Sequence, residues 1–336
     1  MLEHKEQLKE YMTCFYGDSA VGMAEIVYAE VCYQRNDCFA AITTLVGSIP
    51  FIEKKGEIAV LFVALSLQMK IMIATGQIAV VYPMLDQIYQ RLYAGKSRWL
   101  FENFSALRAK GMLYDGDVHT ILQWMENEAP NELGELCMLD TYKYMVKMRA
   151  YILEEKYLAA ISLSEYLKKP LRQGGRVMDL CEIELLCAIS YFLDGNPAEA
   201  YTILDSILPI IEERRFDRLV ADEGEKVYFL LRNYKKERQS DRAYLDQLIL
   251  LAKRMALLYP DYLRRPKEDY QPLTETEQEI LCLMEDERSN NEIAEFMDVS
   301  INTVKFHIKN IYTKLNARSR QQAIRIAKEN KLITLR

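Results

Sequence analysis

The chain has 336 residues, half of them hydrophobic and 27% charged, which is ample for a packed core and rules out disorder as the dominant state. Length alone sets an expectation of roughly two domains. Forty-three basic against 49 acidic residues give a net charge of −6, which excludes a wholly basic nucleic-acid coat but leaves room for a local basic patch.

The N-terminal MLEHKEQLKE lacks the basic-then-apolar pattern of a secretory signal. Strand signals are scarce, and helical periodicity runs nearly end to end. Five short stretches superimpose: Asn36-DCFAAI, Gly76-QIAVVY, Gly116-DVHTIL, Glu155-KYLAAI and Gly195-NPAEAY, spaced by 40, 40, 39 and 40 residues. Each reads as a helix end, a tight turn and a new helix, with Gly or Asn at four of the five turns able to take the left-handed conformation. Three residues before the turn stands Tyr33, Ile73, Leu113, Ile152 or Phe192; seven before it, Ala29, Met69, Ala109, Met148 or Ala188. Five after it comes Ala41, Val81, Ile121, Ala160 or Ala200, compact enough for close helix approach. Pro197 falls in a first helical turn, where its missing N–H costs nothing. The expectation is an α-solenoid of helical hairpins over residues 1–258.

Ile58–Leu85 carries one charged residue, Lys70, and is long enough to cross a bilayer. Gln68, Gly76, Gln77 and Pro83 interrupt it, so it reads as buried inner helices of the array. The seven cysteines (Cys14, Cys32, Cys38, Cys137, Cys181, Cys187 and Cys282) are odd in number and contain no C-x-x-C. Cys32/Cys38 and Cys181/Cys187 are spaced by six, about 120° apart and about 9 Å along a helix, a poor geometry for a bridge. Buried thiols in a reducing, cytoplasmic setting are expected.

Residues 259–272 hold three prolines and dense charge and read as an interdomain linker. A different domain is expected over 273–336. Thr274-E-T-Glu277 and Ser289-N-N-Glu292 are capping boxes, each opening a short helix. Ser300 can cap a third helix, about 302–315, after a turn at Asp298–Ile301; Ser319 can cap a fourth. Two short helices, a turn and a longer helix make a helix-turn-helix. Residues 273–300 carry nine acidic and one basic residue, and 301–336 nine basic and one acidic, so positive charge collects on the third and fourth helices. At 100° per residue, Val304, Ile308, Ile311 and Leu315 share one face and form its core stripe. Asn302, Lys305, Phe306 and Lys309 lie opposite, where a major groove presents base edges. Thr303, His307, Asn310 and Lys314 occupy a flank suited to phosphate contacts, with packing an open alternative for His307.

Two family resemblances follow. Arg149-AYILEEKYLAAISLSEYL, Leu185-LCAISYFLDGNPAEAYTILDSIL and the closing Arg215-FDRLVADEG-Glu225 resemble the tetratricopeptide-like superhelix of MalT-type regulators. Leu273-T-E-T-E, Ser289-NNEIAEFM, Val299-SINTVKFH and Asn310-IYTKLNARSRQQA closely resemble the LuxR-type, or GerE-like, helix-turn-helix. The second resemblance implies base reading by Lys305, Phe306 and Lys309, and dimerisation through the fourth helix at Ala323, Ile326 and Ala327. Glu287, Asn316 and the bulky Phe306 depart from that pattern, and from Phe306 an unusual target sequence is expected. MalT-type regulators carry an ATPase module before the superhelix; this chain begins almost at once with repeats and has no G-x-x-x-x-G-K-[ST], so ATP control is not expected.

No phosphoreceiver pattern occurs, and histidines at 4, 119 and 307 are too dispersed for a metal site or a triad. No cofactor and no enzymatic activity are expected. The expected protein is all-α: helical repeats receive a small molecule or protein partner, and a four-helix domain binds double-stranded DNA as a homodimer. An interaction scaffold whose last domain docks on protein is the competing expectation.

Overall fold

A computed structural model describes residues 5–95, 97–132, 137, 140–239, 242–264, 273–286, 288–315, 317, 319–320, 323–324 and 327. Among these residues there are α-helices and short 3-10 turns, with no strand. The chain divides into two compact units, 1–265 and 266–336, each with its own apolar core.

In the first unit, α1 (Lys5–Tyr16) precedes five hairpins. They are α2 (Met23–Gln34) with α3 (Cys38–Lys55), α4 (Ile58–Ala74) with α5 (Val81–Ala94), and α6 (Phe101–Asp115) with α7 (Val118–Asn127). The last two are α8 (Thr141–Leu153) with α9 (Tyr157–Gln173) and α10 (Val177–Leu193) with α11 (Pro197–Arg214). The five repeat positions are the five hairpin turns. Asn36, Gly76, Gly116, Glu155 and Gly195 all have positive φ, between 60° and 84°. At each, the next residue's N–H donates to the carbonyl five residues back: Asp37 to Cys32, Gln77 to Met72, Asp117 to Met112, Lys156 to Tyr151 and Asn196 to Tyr191. This closes the helix end as a left-handed cap does, satisfying a carbonyl that the helix leaves free. Asp37 and Asp117 then cap the following helix by accepting from the N–H groups of Ala40 and Thr120.

The spacing rule holds in the packing. Ala29, Met69, Ala109, Met148 and Ala188 are all buried, and so are Ala41, Val81, Ile121, Ala160 and Ala200. Alanine at six of these ten points lets paired helices approach, and each hairpin buries its apolar face on the next. Within the segment weighed as a membrane span, α4 stops at Ala74 and Gly76 turns the chain; no helix among the described residues is long and apolar enough to cross a membrane. Only Cys32, Cys181 and Cys187 are buried; Cys14 and Cys137 are exposed, contrary to the expectation of uniformly buried thiols, and both stand near helix termini or in a loop.

The array is not an open stack. After α11 come α12 (Asp217–Ala221), α13 (Gly224–Arg238) and α14 (Ala243–Leu258), and this closing segment returns to the first hairpins. Leu219 N donates to Gln34 Oε1 at 3.0 Å, Tyr33 Oη to Asp222 Oδ2 at 2.6 Å, and Tyr259 Oη to the Ile73 carbonyl at 2.6 Å. The stretch assigned to a linker therefore starts inside the repeat unit: Tyr259, Tyr262 and Leu263 are buried in its core, with Tyr262 stacked on Tyr114 at 4.3 Å. Aromatic anchoring outweighs the linker-like proline and charge content. Residues 265–272, the rest of that stretch, lie outside the described residues.

Charge is buried at the centre of the closure. Arg149 is 1% exposed; its guanidinium donates to Glu223, to Glu182 Oε1 at 2.7 Å and to the Met145 carbonyl at 3.1 Å. Glu223 also accepts from Tyr262 Oη at 2.9 Å. The Glu182 carboxyl would be raised by burial, but Arg149, Lys110 and Lys70 outweigh that and hold it down at about 2. The phrase Arg215–Glu225 supplies Asp217, Arg218, Asp222 and Glu223 to this closure, which gives that sequence signature a structural role.

Candidate nucleic-acid interface

The second unit is built from α15 (Glu275–Glu285), α16 (Asn290–Phe296) and α17 (Ile301–Lys314), with further helical residues described at 320, 323–324 and 327. Both expected capping boxes form. Glu277 N donates to Thr274 Oγ1 at 3.3 Å while Thr274 N donates to Glu277 Oε2 at 2.8 Å. Glu292 N donates to Ser289 Oγ at 3.4 Å and Ser289 N to Glu292 Oε2 at 2.7 Å. Ser300 caps α17 through Thr303 N at 3.1 Å. Asp298 takes the left-handed conformation that turns the chain between α16 and α17. The turn spans Met297–Ser300, one residue earlier than expected, because Ile301 already has helical geometry.

These caps fix the rotation of α17. Val304, Ile308, Ile311 and Leu315 are buried with Ile280, Leu281, Met284 and Ile293 in a single core. Asn302, Lys305, Phe306 and Lys309 are exposed on the other side, Phe306 at 60%. Thr303, His307 and Asn310 are half-buried on the flank; the His307 ring meets the edge of Phe306 at 5.7 Å. The arrangement is a convex helix with a cationic, partly aromatic ridge, of a kind that enters a major groove.

Two groups fall elsewhere. Lys314 Nζ lies 2.6 Å from Glu277 Oε2, with Glu277 only 3% exposed. This ion pair ties the end of α17 to the start of α15. Burial would raise the Glu277 carboxyl, but the Lys314 and Thr274 hydrogen bonds outweigh it and hold it below the ordinary value. Ala323 and Ala327 are fully buried against the domain's own core, so they are not a surface for a second copy. Ile326, Glu287 and Asn316 lie outside the described residues.

Arg320 was not anticipated from sequence. It donates to the Met284 carbonyl at 3.1 Å, to the Arg288 carbonyl and to Asn290 Oδ1 at 3.4 Å, bracing the α15–α16 connection. Its position in a basic run signals DNA contact; the free carbonyls at the end of α15 are what claim it. Among the described residues no cluster of three His, Cys, Asp or Glu is placed to hold a metal ion.

Comparison with known proteins matches both units. The family "MalT-like TPR region" covers residues 14–237, more than half of the chain, and "Bacterial regulatory proteins, luxR family" covers residues 271–327. The HTH-type transcriptional regulator MalT of Yersinia pestis (strain Pestoides F) is 29% identical over 143 residues, 41% of this chain and 14% of that protein. The response regulator protein VraR of Staphylococcus aureus (strain Mu3 / ATCC 700698) is 42% identical over 71 residues, 21% of this chain and 34% of that protein. The match thus spans about one seventh of the length of the MalT relatives.

Proposed function

Since the chain belongs to the family of the MalT-like TPR region, we propose that it is a sequence-specific, DNA-binding transcription regulator whose repeat unit receives an effector. The observation that carries the reading is the face of α17. Asn302, Lys305, Phe306 and Lys309 stand exposed together, opposite a fully packed stripe, in the stretch where the domain's positive charge collects. Lysines at 305 and 309 can donate to guanine N7 and O6, Asn302 can read adenine, and Phe306 can press on a thymine methyl. Thr303, His307 and Asn310 sit where the sugar–phosphate backbone passes. Two copies bind paired half-sites, joined through a surface other than Ala323 and Ala327. An effector, a small molecule or a protein, bound by the helical repeats shifts the population of chains competent for DNA.

The test is a selection of pooled random duplex DNA by the full chain at low and moderate salt. Enrichment of a defined sequence, with affinity falling steeply as salt rises, is the expected result. Binding with no enrichment, or no binding with or without cell extract, sinks the reading and favours a scaffold whose last domain docks on protein.

A further inference from the structure

Along the face made by the first helix of each hairpin, α2 packs on α4, α6 on α8 and α8 on α10. Between α4 and α6 lies a cavity of about 390 Å³. At interior packing density it takes on the order of ten to fifteen non-hydrogen atoms. Phe62, Val63 and Leu67 of α4 and Trp99, Leu100 and Leu107 from the other side make its walls apolar. At one end the lining changes to Glu30, Lys70 and Tyr142, and the last two continue into a narrow recess reaching Lys110.

The polar end has unmet bonding capacity. The Tyr142 hydroxyl is buried and has no hydrogen-bond partner, a costly state for a phenol in a protein interior. Lys70 makes no ion pair among the described residues. Glu30, the carboxylate acting most strongly on Lys70, already accepts from Gln34 Nε2 at 2.9 Å. Lys110 stands 6.0 Å from the centre of the Tyr142 ring and 4.0 Å from Glu182, whose carboxylate is held by Arg149. Burial, with Arg149 and Lys70 adding to it against the pull of Glu182, pushes Lys110 down to about 8, whereas Glu30 outweighs burial at Lys70 and pulls it up.

We propose that this cavity binds a small apolar molecule bearing one acidic head group, with its carboxylate on Lys70 and the Tyr142 hydroxyl and its body against Trp99 and Phe62. The head group supplies the missing acceptor for Tyr142 and a direct ion-pair partner for Lys70. The inference deepens the effector half of the proposed function and rests on it for its regulatory meaning; the binding itself is measured separately.

Calorimetric titration of the full chain with decanoate and 4-phenylbutyrate, each beside its primary amide, tests it. One carboxylate per chain, bound at least about tenfold tighter than the amide, is expected. Tyr142→Phe removes a hydroxyl that has no partner to lose, so the ligand-free melting temperature stays or rises while carboxylate affinity drops about five- to tenfold. Lys70→Met abolishes the preference for acid over amide. Equal binding of acid and amide, no binding of either, or undiminished binding by both variants overturns the assignment. A duplex selection repeated with saturating decanoate separates the two ideas. If selection changes, the cavity is the effector site; if selection is unaltered while calorimetry gives the expected pattern, the cavity assignment stands and the sensing reading falls.

Discussion

The two units treat charge in opposite ways. The repeat unit draws Arg149, Glu223, Asp217 and Arg218 into its interior and spends them on closing the array. The C-terminal unit turns Lys305 and Lys309 outward and, among the described residues, buries the Glu277 carboxylate against a half-buried Lys314. A charged residue on a helix therefore means different things by depth: a buried one is held by partners whose loss is costly, and an exposed one is free to meet a ligand. Composition averages over both and distinguishes neither.

The sharpest way to break this contrast is Arg149→Ala. It leaves Glu223 and Tyr262 facing an unfilled site, and about 3–5 kcal/mol of stability should be lost. Both tryptophans, Trp99 and Trp124, belong to the repeat unit, so their fluorescence in urea follows that unit alone. The fluorescence midpoint should fall well below wild type. An unchanged midpoint means the network is ornamental and the buried-charge half of the comparison fails.

Lys305→Ala probes the exposed half. Fold stability should not change, because the side chain is exposed on α17, while affinity for a selected duplex drops by about 1–3 kcal/mol. A duplex affinity equal to wild type, measured by fluorescence anisotropy, takes Lys305 out of the base-reading face.

Lys314→Met joins the two behaviours, as the one basic residue of α17 that is drawn inward. Its loss strands a nearly buried carboxylate and should cost the C-terminal unit about 1–2 kcal/mol. The Glu277 carboxyl is held below its ordinary value, so its contribution is present above about pH 4.5 and fades as pH falls through the lowered value. The gap between wild type and variant, read from circular dichroism melts, should shrink on acidification. A gap that is constant with pH assigns the effect to packing by the lysine stem.

Much of this was legible from the chain, and what was not has a common cause. The hairpin turns, the two capping boxes and the α17 core stripe are local, fixed by residues within twelve positions of one another. The Lys314–Glu277 pair was not legible because its partners lie 37 positions apart. Ala323 and Ala327 misled because small residues at helical spacing suit a domain core and an interface equally well. Tyr259 and Tyr262 were hidden by the prolines and charges around them, although they anchor the closing segment to residues as distant as Ile73. The α4–α6 cavity had no sequence signal, since its walls come from four separate helices and a turn. The assignment of DNA-contacting residues therefore leans on the local part, the rotation of α17 about its buried stripe.

The smallest effect is the most specific test of the local part. Glu155 is the one hairpin turn where neither Gly nor Asn stands, yet it adopts φ 60° and is exposed. A left-handed glutamate crowds its Cβ against the following carbonyl, a cost that glycine does not carry. Glycine loses more backbone freedom on folding, which returns part of the gain. Glu155→Gly should therefore stabilise the repeat unit by about 0.5–1 kcal/mol, visible as a higher urea midpoint in tryptophan fluorescence. Gly195→Ala at the equivalent turn, with open space around its Cβ, should lower the midpoint by a similar amount through backbone strain alone. Opposite signs at two superimposable positions would establish that the turn conformation, and not the side chain, sets the forty-residue rhythm. Equal signs would mean that tertiary contacts impose the turns from outside.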